Sequence, residues 1–386
     1  MLNPPFSAGG YTHNLCNALA DAGCEVELYT GAHFLRASRS WQRISYKPRI
    51  RFYSHTQLLS YTRGPMRPFW RALRLLGYLW SMTRVVVDAR RFDIVHVQYL
   101  GVPAVGYWWL RAILWCTPVV YTVHNLYPHD RPRHGRVHRV FNRIYSSVHA
   151  LIVHTDKTGE GLMNRFAVSR SRITKIHHGN LNHMRGQHGV PEPADVDLDT
   201  NGPPIVLMFG ALRHHKGIDV LLRAAASLRH DGVDFRVLFA GVPDVDPKIY
   251  LDMARELELD NCVEFRMGYV EEEAVTTYYR AATVVALPYR VIDQSGAAIS
   301  ALSLGRALVT TRVGGLEEAI GESQAGLLVP VDDPQATAEA IKRLLTDEPF
   351  RRRCEANAQC YADQALSWEP IAQQTIEVYH RVQGNS

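Results

Sequence analysis

Residues 205–219 read Ile-Val-Leu-Met-Phe-Gly-Ala-Leu-Arg-His-His-Lys-Gly-Ile-Asp: an apolar run that stops at a glycine, then a basic turn, then the start of a helical pattern. A short apolar run bounded by glycine reads as a strand buried on both faces of a parallel sheet. A glycine-containing turn that feeds a helix N-terminus offers backbone N–H groups and the positive end of the helix dipole to an anion. Arg213 and Lys216 add side-chain donors suited to phosphate oxygens. A solvated basic loop is the alternative reading. The turn matches neither Gly-x-Gly-x-x-Gly nor the Walker pattern, so neither a dinucleotide nor an ATP cradle is supported.

Working outward, short β-branched runs alternate with helical patterns on both sides of this stretch. Strands are expected at 24–29, 94–97, 119–123, 151–154 and 173–176, then at 205–209, 235–240, 263–265, 284–287, 308–310 and 326–329. Such alternation builds parallel sheets from βαβ units. Residues 186–204 hold four prolines and four acidic residues without apolar periodicity, and read as a linker. The expected architecture is therefore α/β, with two Rossmann-like doubly wound domains facing a central cleft. The first domain spans 1–185 and the second 205–365, with a C-terminal helical segment at 366–386. Gly9-Gly10 opens a helix with only eight residues before it, so the first strand of the first domain is expected to be missing or unusual.

At 386 residues, with 46% hydrophobic and 21% charged residues, the chain is neither disordered nor fibrous. Its net charge of +5 hides an asymmetry. Residues 1–185 carry 25 Lys+Arg against 8 Asp+Glu, giving +17, whereas the remainder carries 18 against 30, giving −12. The basic half is expected to face something anionic. The six cysteines, at 16, 24, 116, 262, 354 and 360, form no Cys-x-x-Cys pair, which suits a reducing compartment. The N-terminus does not read as a signal peptide, and the uncharged stretch 94–110 is a poor membrane span.

A second constellation runs Leu287-Pro-Tyr-Arg-Val-Ile-Asp-Gln-Ser-Gly296 before a helix at 297–304. Ser295 suits an N-cap, which aims the following amides outward. Two anion-competent helix starts, both after strand C-termini, fit a diphosphate at a sheet crevice. Ser295 lacks the Gly-x-Ser-x-Gly elbow of a nucleophilic serine, because position 293 is Asp.

With these residues goes a series of further motifs: Asp93-Ile-Val-His-Val, Thr122-Val-His124-Asn125, Gly268-Tyr-Val270, Val313-Gly-Gly-Leu-Glu-Glu318-Ala-Ile320, Gly326-Leu-Leu-Val-Pro330 and Asp333-Pro334. In order and spacing the chain resembles the retaining glycosyltransferases of family four, which have the GT-B fold. The resemblance covers nearly the whole chain. It implies that the acidic second domain holds a nucleotide-sugar donor, with Arg213 and Lys216 on the diphosphate and the backbone near Tyr269 and Val270 on the base. Asp293, Gln294, Ser295, Gly296 and Glu318 are implied to complete the donor site, with Gly10 close to the phosphates. His124 is implied near the transferred sugar, on the basic domain that binds the acceptor. The C-terminal helix is implied to cross back onto that domain. The chain departs from the family where two glutamates normally stand: Ile292 and Ser300 occupy those positions, and Ala307 replaces a proline. This is a Gln-Ser-Gly variant of the donor loop.

What the resemblance implies is glycosyl transfer with retention to a glycan or lipid-linked acceptor, in polysaccharide biosynthesis at the cytoplasmic membrane face and without a metal. A GT-B sugar-nucleotide epimerase and a catalytically silent partner subunit are the alternatives. Arg131, Arg133 and Arg136 are candidates to face a phosphorylated acceptor, with a solvated loop as the other reading. His129, His134 and His138 are a weak zinc candidate, and no nucleic-acid-binding pattern is present. The segment 69–91 reads as an amphipathic helix, with Leu73, Leu76, Leu79 and Trp80 against Arg71, Arg74 and Arg84. It is expected either to lie on an anionic membrane or to pack on the first sheet.

Overall fold

The computed structural model describes residues 1–4, 9–31, 43–52, 67–127, 135–181, 198, 201–244 and 246–384. Arg131, Arg133, His129 and His134 lie outside the described residues, as does most of 186–204. The chain divides into two compact units, Met1–Gly179 with Trp368–Ser386, and Asn180–Ser367. The second unit begins at Asn180, because that residue is already tied into it. Its N–H donates to the Leu366 carbonyl at 2.8 Å, and its side-chain amide donates to the Ala362 carbonyl at 2.8 Å.

In the first unit the elements are β1 (Leu2–Asn3), α1 (Gly9–Asp21), β2 (Glu27–Gly31), β3 (Lys47–Phe52), α2 (Arg67–Ala89) and β4 (Val95–Val97). There follow α3 (Pro103–Leu114), β5 (Val119–Val123), α4 (Arg136–Ser147), β6 (Ala150–Val153), α5 (Asp156–Phe166) and β7 (Ile173–Lys175). The strands order as β3-β2-β1-β4-β5-β6-β7, all parallel. The strand that the sequence leaves in doubt is present: β1 sits at the sheet centre, with Leu2 paired to Tyr29 on one side and to Val97 on the other. β3 is not legible as a strand because Lys47, Pro48 and Arg49 interrupt its apolar character. It is an edge strand, where charge and proline are tolerated. Arg49 clamps Glu27 of β2 through two hydrogen bonds of 3.0 and 3.2 Å.

Alternation along the strands builds two cores. Val119, Tyr121 and Val123 of β5 enter a cluster with Tyr78, Met82, Val85, Leu110, Ile113 and Ile144 from α2, α3 and α4. Val120 points to the other face, beside Tyr11, Leu15 and Leu19 of α1. Each fully buried side chain of this kind contributes about 1.5–3 kcal/mol.

The second unit runs β8 (Ile205–Phe209), α6 (Ile218–His230), β9 (Arg236–Gly241), α7 (Lys248–Glu256), β10 (Val263–Met267), α8 (Glu272–Ala281) and β11 (Val284–Leu287). It continues through α9 (Gly296–Ser303), β12 (Ala307–Thr311), α10 (Gly314–Ser323), β13 (Gly326–Val329), α11 (Pro334–Thr346) and α12 (Glu348–Gln364). Its order is β10-β9-β8-β11-β12-β13, again all parallel. The helix starts are written in the sequence. Asp333 accepts from the Ala336 N–H at 2.9 Å and Asp347 from the Phe350 N–H at 3.0 Å, each with a proline in the first turn.

The last helix, α13 (Trp368–Gly384), belongs to the first unit. It lays Ile371, Ala372, Val378 and Val382 on the cluster that holds Leu15 and Val120.

Candidate functional site

Each sheet has one place where the strand order reverses, β1/β4 in the first unit and β8/β11 in the second. In folds of this kind the loops that leave the carboxyl ends of strands at such a point are the usual ligand position.

In the second unit the two loops at this point are the ones that the sequence singles out. β8 leads to Gly210, Arg213, a single 3-10 turn at His214–Lys216, Gly217 and α6. β11 leads to Pro288, Tyr289, Arg290 and the start of α9. The loops are fastened together: the Arg290 N–H donates to the His215 carbonyl, and its guanidinium donates to the His214 carbonyl, both at 2.8 Å. Arg290 also grips both oxygens of Asp219 at 2.9 Å, and its Nε lies 2.6 Å from Asp332. Burial raises the Asp219 carboxyl, but Arg290 and then Arg223 outweigh it and hold the pKa at about 2. Gly217 is required here. Its φ is +70°, and a Cβ would sit 2.1 Å from the Pro288 carbonyl oxygen.

Lys216 is therefore held in place by neighbours that do not neutralise it. Its ammonium lies 5.3 Å from the centre of the Tyr289 ring, a cation–π distance. Burial first, and then the charge of Arg213, lower its pKa to about 8. Arg213 lies 3.4 Å from Asp244. A desolvated lysine beside an arginine favours a bound anion, which would relieve the repulsion.

Ser295 caps α9, its oxygen accepting from the Ala298 N–H at 3.2 Å, and Gly296 is exposed at the helix start. Gln294 is half-buried in the same loop. The Asp293 carbonyl accepts from the Gly315 N–H at 3.1 Å, so this loop abuts the start of α10, where Glu318 lies one turn further. Gly314 makes that approach feasible, since a Cβ there would meet the Ile292 carbonyl oxygen at 1.7 Å. The positions where relatives carry glutamates are structural. Ile292 is buried in an apolar cluster, and Ser300 donates to the Gly296 carbonyl at 3.0 Å. Tyr269 is exposed beyond β10, and Val270 packs against the same apolar cluster.

In the first unit, Gly10 lies in the first turn of α1, after β1. His124 follows β5 and stacks on Tyr99, with ring centres 4.8 Å apart and planes 4° from parallel. The ring does not stand alone. Tyr11, His154 and His178 lie 4.7–5.4 Å from one another or from His124, centre to centre. A polar chain runs into the cluster. Gln98 Oε1 faces His124 Nε2 at 2.8 Å, Gln98 Nε2 faces His96 Nε2 at 3.2 Å, and His96 Nδ1 lies 2.7 Å from the Tyr379 hydroxyl of α13. The amide of Gln98 donates to His96 Nε2, so His96 carries its proton on Nδ1. The amide oxygen requires His124 to carry its proton on Nε2. Burial is the main reason these rings stay neutral: it brings His96 and His154 to about 3 and His178 to about 4, and lowers His124 well below its ordinary value.

His124, Gln98 and Tyr99 line a cavity of about 390 Å³ walled by Leu100, Pro103, Tyr121, Val140 and Phe141, with Arg136 of α4 also lining it. His138 pairs with the Tyr127 hydroxyl at 2.9 Å. Among the described residues no three His, Cys, Asp or Glu are grouped to hold a metal.

The sequence reading missed Gln98, His154 and His178 here, and Arg290 in the second unit. A signal was available for two of them. Val97-Gln98, Val123-His124 and Val153-His154 are three strands that each end in valine followed by a hydrogen-bonding side chain, which places those side chains along one edge of the sheet.

Two parallel sheets of this order are the architecture of the GT-B fold. Known proteins agree. Sucrose-phosphate synthase from Thermosynechococcus elongatus superposes with a TM-score of 0.71 at 22% identity, covering 97% of this chain and 93% of that one. Anabaena HepE, solved with UDP and glucose, gives a TM-score of 0.72 at 18% identity, covering 98% of each chain. Residues 8–179 match the family described as Glycosyltransferase Family 4, and residues 203–347 match Glycosyl transferases group 1. The chain belongs to glycosyltransferase family four. Among curated relatives it is 29% identical, over 97% of its own length and 85% of the other, to D-inositol 3-phosphate glycosyltransferase of a Nocardioides species. It is also 29% identical to the enzyme of that name from Corynebacterium urealyticum, over 96% and 90%.

Proposed function

We propose that this enzyme moves a sugar from a nucleotide-sugar donor to a glycan or lipid-linked acceptor, with retention at the anomeric carbon, in polysaccharide biosynthesis on the cytoplasmic side of a membrane. The observation that carries the donor half is the half-buried Lys216, set over Tyr289 beside Arg213 at the reversal point of the second sheet. In the reaction the bond from the anomeric carbon to the diphosphate breaks as the acceptor oxygen attacks the same face. The acceptor proton passes to the departing phosphate oxygen. The developing negative charge falls to Arg213, Lys216 and the amides at the start of α9, so the protein's contribution is electrostatic. Two fixed cations at the diphosphate support a metal-independent reaction, and chelator is expected to leave the rate unchanged. HepE bound to UDP and glucose makes a uridine diphosphate sugar the first donor to try.

Isothermal calorimetry with UDP, GDP and ADP, followed by turnover of the matching sugar nucleotide, tests the reading. Binding of one nucleotide together with acceptor-dependent release of it supports transfer, and the anomeric proton coupling of the product reads retention. Interconversion of free sugars would replace transfer with epimerisation, and binding of none of the three would replace it with a silent subunit.

A further inference from the structure

α2 carries two apolar stripes where a helix packed on a sheet needs one. Tyr78, Met82, Val85 and Ala89 are buried in the core of the first unit. Phe69, Leu73, Leu76, Trp80 and Val87, spaced at three, four and seven residues, lie on a different face and are exposed, Leu76 to 61% and Trp80 to 66%. The neighbouring α3 repeats the arrangement. Leu110 and Ile113 are buried, whereas Trp108 and Trp115 are 65% and 86% exposed. The helices touch along this side: Trp109 Nε1 donates to the Thr83 hydroxyl at 3.1 Å, and Thr83 belongs to the same series as Trp80 and Val87. Exposed large apolar side chains scattered singly need no explanation, but a run of this length over two adjacent helices does.

Charge decides what covers it. Arg84 and Arg111 are exposed among these residues. No aspartate or glutamate occurs between Glu27 and Asp88, or between Asp93 and Asp130. A second copy laid symmetrically on this face would bring arginine against arginine. Indole and phenyl rings flanked by arginines, without carboxylates, suit the headgroup and upper acyl region of an anionic bilayer. We infer that the exposed face of α2 and α3, centred on Trp80, Trp108 and Trp115, docks on a bilayer of anionic lipid. The inference rests on the membrane-side reading above for its purpose, and α3 connects the two. Ala104, one turn before Trp108 on the same side, also lines the cavity that holds His124. An acceptor anchored in lipid would thus reach the cavity along the helix that touches the membrane.

Flotation of the full chain with phosphatidylcholine vesicles, with and without phosphatidylglycerol, tests the docking and needs neither donor nor acceptor, so it stands apart from failure of the transfer reading. The wild type is expected to float with the phosphatidylglycerol vesicles only. The triple change Trp80→Ser, Trp108→Ser and Trp115→Ser is expected to lower partitioning by about tenfold or more. Arg84→Glu with Arg111→Glu is expected to abolish the preference for the anionic vesicles. All three tryptophans are exposed, so the melting temperature is expected to stay within a few degrees of the wild type. Wild type that fails to float at low salt overturns the proposal, as does a tryptophan variant or an arginine variant that floats like the wild type. A change from dimer to monomer in the tryptophan variant with flotation unchanged would assign the face to a second copy instead.

Discussion

The two units share the order of their strands but place their candidate side chains differently on it, the second at its reversal point between β8 and β11 and the first beyond the ends of β4 to β7, and the two sets have opposite chemistry. The second unit uses charged side chains. Asp219 is wedged between Arg223 and Arg290, and Lys216 stands beside Arg213. The first unit uses rings kept neutral by burial, His96, His124, His154 and His178, and among the described residues no carboxylate acts on them. In the proposed reading, a site that meets a diphosphate profits from cations gathered at one turn, such as Lys216 beside Arg213. If, as proposed, the first unit faces a sugar and an acceptor hydroxyl, oriented donors and acceptors that do not trade protons with solvent suit it. Topology fixes where such sites form, and the residues at the strand ends decide what they bind.

The difference is testable by acid. A histidine whose folded pKa is depressed binds its proton in the unfolded chain below pH 6.5 but not in the folded one until about pH 3. Its cost therefore grows as pH falls through that window and is absent above it. One such ring is worth roughly 3 kcal/mol at pH 4. Asp219 behaves the other way, since its contribution is present above pH 3.8 and is lost only as pH falls toward about 2. Calorimetric melts from pH 7 to 4 are expected to show the first unit losing stability before the second. Simultaneous loss would break the comparison.

Next in size, Lys216→Ala is expected to lower kcat by about a hundredfold or more, the cost of one preorganised transition-state donor. Unchanged turnover of the true donor would remove Lys216 from the reaction. Because the lysine sits near pH 8 when free and a diphosphate favours its charged form, nucleotide binding at pH 8 is expected to take up a proton. Calorimetry in buffers of different ionisation enthalpy reads that uptake directly.

Arg290→Ala sharpens the comparison from the structural side. It removes two hydrogen bonds to Asp219 and one to the His214 carbonyl, at a cost of about 2 kcal/mol. It is expected to weaken nucleotide binding as the Lys216 turn loosens. Equal loss with Arg290→Lys, which keeps the charge but not the fork, would show that geometry rather than charge matters. Smallest is Tyr379→Phe, which takes one hydroxyl from His96 at about 1 kcal/mol. Its effect is expected on the melting of the first unit alone, with nucleotide affinity unmoved.

Much of this was legible in the sequence, for identifiable reasons. Strands β8 and β11 are uninterrupted apolar runs and β5 is one broken only by Thr122, and nothing in them competes with a strand reading. The cationic turn at 210–217 could be read because glycine, lysine and arginine carry their chemistry locally. β3 could not, since an edge strand need not be apolar. β1 could not because two residues make no pattern, and the sheet gives it meaning only through Tyr29 and Val97. The histidine cluster was seen as one residue. His124 and His154 follow the ends of β5 and β6 and His178 comes from the segment after β7, and only the parallel sheet brings them together. α2 was read as facing either a membrane or the sheet, and the structure gives it an inward face on the sheet and an outward one that the sheet leaves bare.

The return of α13 to the first unit has a consequence for biogenesis. Everything from Asn180 to Ser367 lies, in chain order, inside the first unit, so the second unit is a domain inserted into a host. During synthesis the second unit emerges whole before the host receives its last helix. Until Trp368–Gly384 leaves the ribosome, Leu15, Leu19, Val120 and Ile152 have no cover from Ile371, Val378 and Val382. Domains usually complete in the order in which they are made. In this chain the order is inverted, and the half that begins translation is the last to be finished.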